Sequence, residues 1–551
     1  MESIRVSNLR CIADSTTIEI KPISLLVGAN SSGKSTFLRV FPLLRQSHEM
    51  RTLGGLVLNE GDVNFGFFNE ALHKDADPAE LKIEFGFTMQ HGFFQGASWN
   101  NYLIEPIEIS CELTYAKRAK DHHYPRLRVA RLRLTTSTSV DNLSITAGED
   151  GELSAFDVNE FQSSSDERRS LRLRIARGLV PQLVLALNKQ DGLDGAFDVT
   201  ESGSSPFGKR LISETEAFFH GRTAVETRLA TFQDIRIGSP QKMLDDMRNS
   251  GVSTWRDRIS GWTTESVAFL NVRNLLLAKR MNEILESVNV YVTRLAKSVY
   301  YFQPVRASAE RDYLSRDVSV TSVNPSGLNV AMVLASLSLE NQKNFREWMR
   351  KHFGFEVFPQ SVGDGARVAL RMKEAVSGTE FNLADTGFGF SQMLPFLVQV
   401  WNLTEGMKSM NSLQRRFTFA SPSRFGIPGS SSSIIAIEQP ELHLHPALQA
   451  KLADLIVAMA NLSKAQQVPI RFILETHSQT IIERIGQSVE CKILPAEDVQ
   501  VILFELDRTK PTSNTSVMRT TSFDAQGVLL DWPFGFLSAP LSQPITPPSA
   551  S

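Results

Sequence analysis

Cysteine is scarce in this 551-residue chain: Cys11, Cys111 and Cys491 stand far apart and match no metal-ligand spacing. So sparse and odd a set excludes a disulfide framework and reads as reduced intracellular thiols. The opening MESIRVSNLRCIADSTTIEI lacks a basic region followed by an apolar stretch, so no signal peptide is expected. No run of about 18 uninterrupted apolar residues occurs, which excludes an obvious membrane helix. Neither charge sign dominates, with 58 Lys and Arg against 60 Asp and Glu, so net charge speaks neither for nor against nucleic acid. Together these absences point to a soluble cytoplasmic protein. What is present suits a sizeable core: 42% of residues are apolar. The length accommodates roughly two to four domain-sized units, or one core with a large insertion.

Periodicity divides the chain. Residues 1–27 alternate like paired strands and end in the apolar Ile23-Ser24-Leu25-Leu26-Val27. A glycine loop follows, then a helix from Ser35 to about residue 45, weakened in its last turn by Pro42. Strand patterns fill 55–145, and 139–166 reads as loop or edge hairpin. From about 166 to 300 the spacing turns helical, without a sustained heptad. The last third alternates strand and helix: a helix from Ser391, strands at Ile434–Ile437, Arg471–Leu474 and Val501–Leu506, and helices at His445–Leu462 and Thr480–Ile485. The proline-rich end is expected to be disordered. The implied divisions are 1–145, 146–300, 301–540 and a tail 541–551.

Three strand ends carry chemistry. The first is Gly28-Ala29-Asn30-Ser31-Ser32-Gly33-Lys34-Ser35-Thr36, between a strand and a helix. Gly28 and Gly33 let backbone N–H groups close round phosphate oxygens, and the helix N-terminus adds positive potential. Lys34 bridges the outer phosphates of ATP and the Ser35 hydroxyl ligates Mg²⁺. The second, Ile434-Ile435-Ala436-Ile437-Glu438-Gln439-Pro440-Glu441, places an acid where it holds Mg²⁺, a role assigned to Glu438. The third, Leu474-Glu475-Thr476-His477-Ser478, sets an imidazole where it senses a γ-phosphate. Between the first and second lies Gly387-Phe388-Gly389-Phe390-Ser391-Gln392. That segment is either a capped helix start, with Ser391 as cap, or a phosphate-binding turn completing a second subunit's site. His443 and His445 in HLHP have no third ligand nearby, so a loop-structuring role is expected of them.

The order of these motifs resembles the ABC ATPase head. NLRCIADSTTIEIKPISLLVGANSSGKST, AIEQPELHLHP and LETHS are similar to ABC-type ATPases related to SMC and RecF-type proteins and to the overcoming-lysogenization nucleases. LVLNEGDVNFGFFNEAL, YYFQPVRASAERDYL, FNLADTGFGFSQMLP and GVLLDWPFGF resemble a narrower prokaryotic subgroup, the PtuA-type ATPases of Septu and retron-linked phage-defence systems. The resemblance implies an α/β ABC-type P-loop NTPase head with an antiparallel β lobe and a large helical insertion. It implies Gly28 to Thr36 on phosphate and Mg²⁺, and Gly387, Gly389 and Ser391 facing a partner's nucleotide in an ATP-sandwiched homodimer or higher oligomer. It also makes Glu438 the Mg²⁺ acid, His477 the switch, and a separate HNH-type nuclease the effector. The departure is Gln439, where an ABC head has the glutamate base. An amide orients water but takes no proton, so slow ATP hydrolysis is expected. Glu441 is either a displaced base or a cap for the helix near Pro446.

Two basic clusters are solvated, acid-paired faces or a phosphate-tracking surface for nucleic acid, including retron RNA-DNA. They are Lys117, Arg118, Lys120, His122, His123, Arg126, Arg128, Arg131 and Arg133, and then Arg168, Arg169, Arg172, Arg174 and Arg177. The acids after His477 lack the paired strand-end arrangement of a two-metal nuclease. The expectation is therefore a non-nuclease ATPase regulating a separate effector. A RecF/SMC-like repair or chromosome-handling ATPase is the alternative. A transporter subunit is disfavoured by the long insertion.

Overall fold

The computed structural model describes residues 1–50, 55–89, 103–118, 121–148, 151–174, 179–185, 205–233, 235–304, 306, 309–314, 323–363, 365–386, 388–417, 433–466, 469–507 and 515–532. They form a mixed α/β protein of two compact units. One holds Met1–Glu19 and Leu43–Lys297; the other holds Ile20–Pro42 and the described residues from Ser298 onward. No helix among the described residues is long and apolar enough to cross a membrane.

The first unit is built on a nine-stranded antiparallel sheet. Its strand order runs Phe161–Gln162, Leu153–Val158, Val140–Ala147, Asp121–Thr135, Ile107–Arg118, Glu80–Met89, Ser3–Leu9 and Ile12–Asp14, with Ile18–Glu19 also on Ser3–Leu9. Alternation does the sorting: Ile83, Phe85, Ile109, Cys111 and Leu113 are buried, while Glu84 and Glu112 are not. The segment 139–166 supplies the outer strands of this sheet, and Leu171–Arg174 pairs with Gln182–Leu185 ahead of the run of helices from Pro206 to Lys297. Those helices pack round buried Trp255, whose indole N–H donates to the Met247 carbonyl at 3.0 Å. A buried bidentate pair between Arg273 and Asp141 ties the helix Val267–Lys279 to the sheet.

A bulge changes the reading of the first basic cluster. Thr114 faces Val129 but Tyr115 faces Leu127, leaving Arg128 as the extra residue. Leu127 and then Ala130, Leu132 and Leu134 are buried, so the parity switches there. Arg126, Arg128, Arg131 and Arg133, which strict alternation splits between two faces, all lie off the buried face. Carboxylates are interleaved: Arg131 pairs with Glu112, and Arg5 meets Asp14 at 2.6 Å and Glu84 at 3.8 Å. In the second cluster Arg168 donates to the Ser163 carbonyl and Arg169 meets Asp166 at 3.5 Å. Lys120 and Arg177 lie outside the described residues.

The second unit carries a six-stranded sheet in the order Val299–Phe302, Ser433–Glu438, Ile470–Glu475, Ile23–Gly28, Val499–Leu506 and Ser516–Thr521. All neighbours are parallel except the last pair. The two strands Ile23–Gly28 and Ser433–Glu438 are buried along their whole length, which explains their unbroken apolar runs. The helix Pro446–Gln466 joins Ser433–Glu438 to Ile470–Glu475, the helix Gln479–Glu490 joins Ile470–Glu475 to Val499–Leu506, and Trp532 packs partly buried against the core.

Two helix boundaries differ from expectation. Pro42 does not end its helix; the break falls earlier, at Arg39, between Lys34–Leu38 and Val40–Glu49. Pro42 has no N–H to give the Leu38 carbonyl, and as third residue of the new helix it needs none. The helix expected from Ser391 begins at Phe388, so Ser391 lies within its first turn and is not its cap. Phe390 draws the turn into the helix by packing edge-on to Phe355, with ring centroids 4.2 Å apart.

Candidate functional site

The phosphate-loop strand Ile23–Gly28, the acidic strand Ser433–Glu438 and the histidine strand Ile470–Glu475 release their chemistry at one edge, because all three run parallel. The histidine strand lies between the other two. Its Glu475 is in register with Glu438 on one side and Leu26 on the other. Two carboxylates therefore stand side by side next to the glycine loop.

In that loop Gly33 adopts φ 103°, a left-handed conformation that a side chain resists. Ser32 Oγ donates to the Ala29 carbonyl at 2.8 Å, and Ser516 Oγ donates to the Ser32 carbonyl at 2.6 Å. Lys34 is 3% exposed and curls over the loop, donating to the Gly28 and Ala29 carbonyls at 3.0 and 2.7 Å. Burial lowers its pKa, opposed by the charges of Glu475 and Glu441. Ser35 and Thr36 are half-buried, while Asn30 and Ser31 are exposed.

Glu438 is 2% exposed, and both of its oxygens accept hydrogen bonds. Arg39 grips both of its oxygens, Nε at 2.6 Å and a terminal nitrogen at 2.8 Å, and the Tyr301 hydroxyl adds a third bond at 2.7 Å. The Arg39 guanidinium is accordingly held more firmly protonated, and the Tyr301 phenol is pushed up by burial and by the neighbouring carboxylate. Arg39 is 35% exposed, but removing it strands the charge of buried Glu438, so Arg39→Ala is expected to cost about 3 kcal/mol. The denaturation midpoint of the full chain measures this; a midpoint matching wild type contradicts it, and adding Glu438→Gln should restore most of the loss.

Glu475 is 3% exposed, and burial is the main cause of its raised pKa. The nearby Ser35 hydroxyl, Lys34 and Arg39 favour its charge, and Glu438 opposes it. Its Oε2 is buried without a hydrogen-bond partner. Gln439 follows the acidic strand at φ 44°, with its N–H on the Glu475 carbonyl at 2.8 Å. Glu441 accepts from the His477 N–H at 2.6 Å and from Thr476 Oγ1 at 3.0 Å. It thus braces the acidic and histidine strands; the start of the helix at Pro446 is served by His445, whose Nδ1 accepts from the Ala447 N–H at 3.2 Å. Burial raises the Glu441 pKa and lowers that of half-buried His477, to which Lys34 also contributes. Both effects favour the uncharged imidazole.

The glycine-rich helix start meets this edge from the same unit. A Cβ on Gly389 would run into the His443 carbonyl, so the glycine permits close packing of the turn on HLHP. Ser391 is 7% exposed. Gly387 lies outside the described residues. Gln392 and Arg306 are locked together: the Arg306 N–H donates to Gln392 Oε1 at 2.6 Å, and its guanidinium donates to the Gln392 carbonyl at 2.9 Å. Burial drives the Arg306 pKa down to about 10 against the pull of Glu441, Tyr301 and Glu438. Arg39, Tyr301, Arg306 and Glu475 were not singled out by the motifs. Glu475 stands in LETHS as the second strand-end acid, Tyr301 and Arg306 lie in YYFQPVRASAERDYL without an assigned role, and Arg39 lies in no quoted motif.

A family profile described as "AAA ATPase domain" matches residues 1–138 and 274–482. No curated protein matches the chain in sequence. Among solved structures, the chain is similar to the Smc head domain of Pyrococcus furiosus with an extended coiled coil, bound to the C-terminal domain of ScpA. The identity is 12%, coverage 95% of this chain and 96% of that one, and the TM-score 0.31. It is also similar to the SMC head domain of Thermotoga maritima, at 8% identity, 94% and 97% coverage and TM-score 0.29.

Proposed function

The chain belongs to the AAA ATPase domain family, and from that premise we propose that it is an ABC-type head that binds MgATP at Gly28–Thr36, hydrolyses it slowly and self-associates when ATP is bound. The observation supporting this is the single sheet edge at which Lys34, Ser35, Glu438, Gln439, Glu475 and His477 emerge. When bound, Mg²⁺ neutralises phosphate charge, and Ser35 with the strand-end acids is the hard-oxygen donor set it requires. Lys34 grips the outer phosphates, neutral His477 meets the terminal one, and Gln439 orients water. The turn Gly387, Gly389 and Ser391 of a second copy closes the site; because Ser391 is buried, closure has to expose it.

The setting we assign is a prokaryotic antiviral defence system, in which the ATP-bound assembly holds or releases a separate HNH-type nuclease. Its support is the resemblance of Leu56–Leu72, Tyr300–Leu314 and Phe381–Pro395 to the Septu and retron-linked ATPases. A repair or chromosome-handling ATPase is the competing reading.

Two measurements test this. Sedimentation with ATP, ADP or no nucleotide should show a dimer with ATP alone; a monomer in all three overturns the sandwich. Co-purification from the native host should yield an HNH nuclease, whereas repair or chromosome proteins without a nuclease would favour the competitor.

A further inference from the structure

The acid assigned to Mg²⁺ by motif order is Glu438, yet its carboxylate is committed. Three donors at 2.6, 2.8 and 2.7 Å occupy it, and one is a cation that cancels its charge. A carboxylate gripped on both oxygens by a guanidinium is a poor partner for a second cation, since the two positive charges compete for the same lone pairs. Its register neighbour is in the opposite condition. Glu475 is 3% exposed, the nearby Ser35 hydroxyl favours its charged form, and its Oε2 is buried with no partner. Buried carboxylate oxygens are nearly always satisfied, so an orphan beside the very hydroxyl that a P-loop offers to a cation calls for a ligand. A divalent cation with its water shell fits: it takes hard oxygen donors, and it supplies both positive charge and water protons.

We propose that Glu475, together with Ser35, is the divalent-cation acid of this site, while Glu438 is a positioning group held by Arg39 and Tyr301. The division of labour follows from the layout. Glu475 lies on the strand next to the phosphate-loop strand; Glu438 lies one strand further away. Arg39 neutralises the outer carboxylate, so the inner one stands beside it with less repulsion than two free anions would suffer. This deepens the MgATP reading above and rests on it.

The test compares binding of a non-hydrolysable ATP analogue with Mg²⁺ and with chelator, by calorimetry on the full chain. Electron paramagnetic resonance of Mn²⁺ in the same complexes provides the second readout. Wild type should bind the analogue more tightly with Mg²⁺. Glu475→Gln should lose about 10-fold or more in Mn²⁺ affinity, the range typical when a carboxylate near a metal is removed, and its metal-free nucleotide affinity should match wild type. The double variant Arg39→Met with Glu438→Gln, which removes the outer pair as a neutral unit, should keep most of the metal dependence. Full metal dependence in Glu475→Gln, or its loss only in the double variant, overturns the proposal. If Glu475→Gln does not purify, Glu475→Asp decides: weakened Mn²⁺ binding supports the assignment and unchanged binding overturns it. A wild-type chain that binds no nucleotide at all would instead sink the ATPase reading beneath it.

Discussion

Lys34→Ala lowers ATP affinity by about a hundredfold, the equivalent of two charge-assisted hydrogen bonds at ~1.5 kcal/mol each. The ammonium already lies over the glycine loop: it is buried and satisfied by the Gly28 and Ala29 carbonyls at 3.0 and 2.7 Å. Burial disfavours its charge, and only Glu475 and Glu441 compensate. An arriving polyphosphate supplies the missing counter-charge in a place shielded from water, so the bonds formed are the strong kind. The substitution leaves two loop carbonyls short of a donor, a modest cost to the fold. Nucleotide titration by fluorescence or calorimetry measures the effect, with a melting curve to confirm folding. Binding within threefold of wild type would show that the loop backbone alone carries the phosphates and that Lys34 has another task.

The strand, glycine loop and helix of Ile23–Leu38 were legible because their pattern is local. An apolar strand, two glycines, a lysine and a hydroxyl within nine residues fix backbone and chemistry together. The three strand ends were legible for the same reason, and parallel pairing then gathers them. What escaped was set by partners far away in sequence. Arg39 reaches Glu438 across 399 positions, and Tyr301 reaches it across 137. No motif encodes that pairing, so the sequence shows Glu438 as a strand-end acid without the two partners that hold it. Glu475 was visible as a residue, but its place beside Ser35 depends on the histidine strand lying between the other two. The basic strand failed differently. Strict alternation splits Arg126 and Arg128 from Arg131 and Arg133, and one bulged residue, Arg128, reunites them. The helix start at Phe388 escaped because two glycines read as a break, while Phe390 on Phe355 and Gly389 against His443 favour a wound, close-packed turn.

Gln439→Glu is expected to raise single-turnover ATP hydrolysis by about a hundredfold or more, the usual contribution of a positioned general base. The position is prepared for it. The residue leaves the acidic strand at φ 44° with its N–H held by the Glu475 carbonyl at 2.8 Å, so the backbone is fixed and either side chain starts from the same point. Glutamine and glutamate have nearly the same shape, and the substitution trades an uncharged amide that donates and accepts for a carboxylate that can take a proton. An amide aligns the attacking water and leaves it without an acceptor; a carboxylate completes the step. Faster hydrolysis should also shorten the life of the ATP-bound dimer, which sedimentation can follow alongside phosphate release. The competing base is Glu441, raised in pKa by burial and so readier to hold a proton. Both of its oxygens are engaged, by the His477 N–H at 2.6 Å and by Thr476 at 3.0 Å, which suits a brace between strands better than a free acceptor. Glu441→Gln in the same assay separates the two roles. Slow wild-type turnover, accelerated by Gln439→Glu and little changed by Glu441→Gln, supports a site whose ATP mainly sets the state of the assembly. Fast wild-type turnover that survives Glu441→Gln would sink both versions, because neither residue would then be limiting the chemistry.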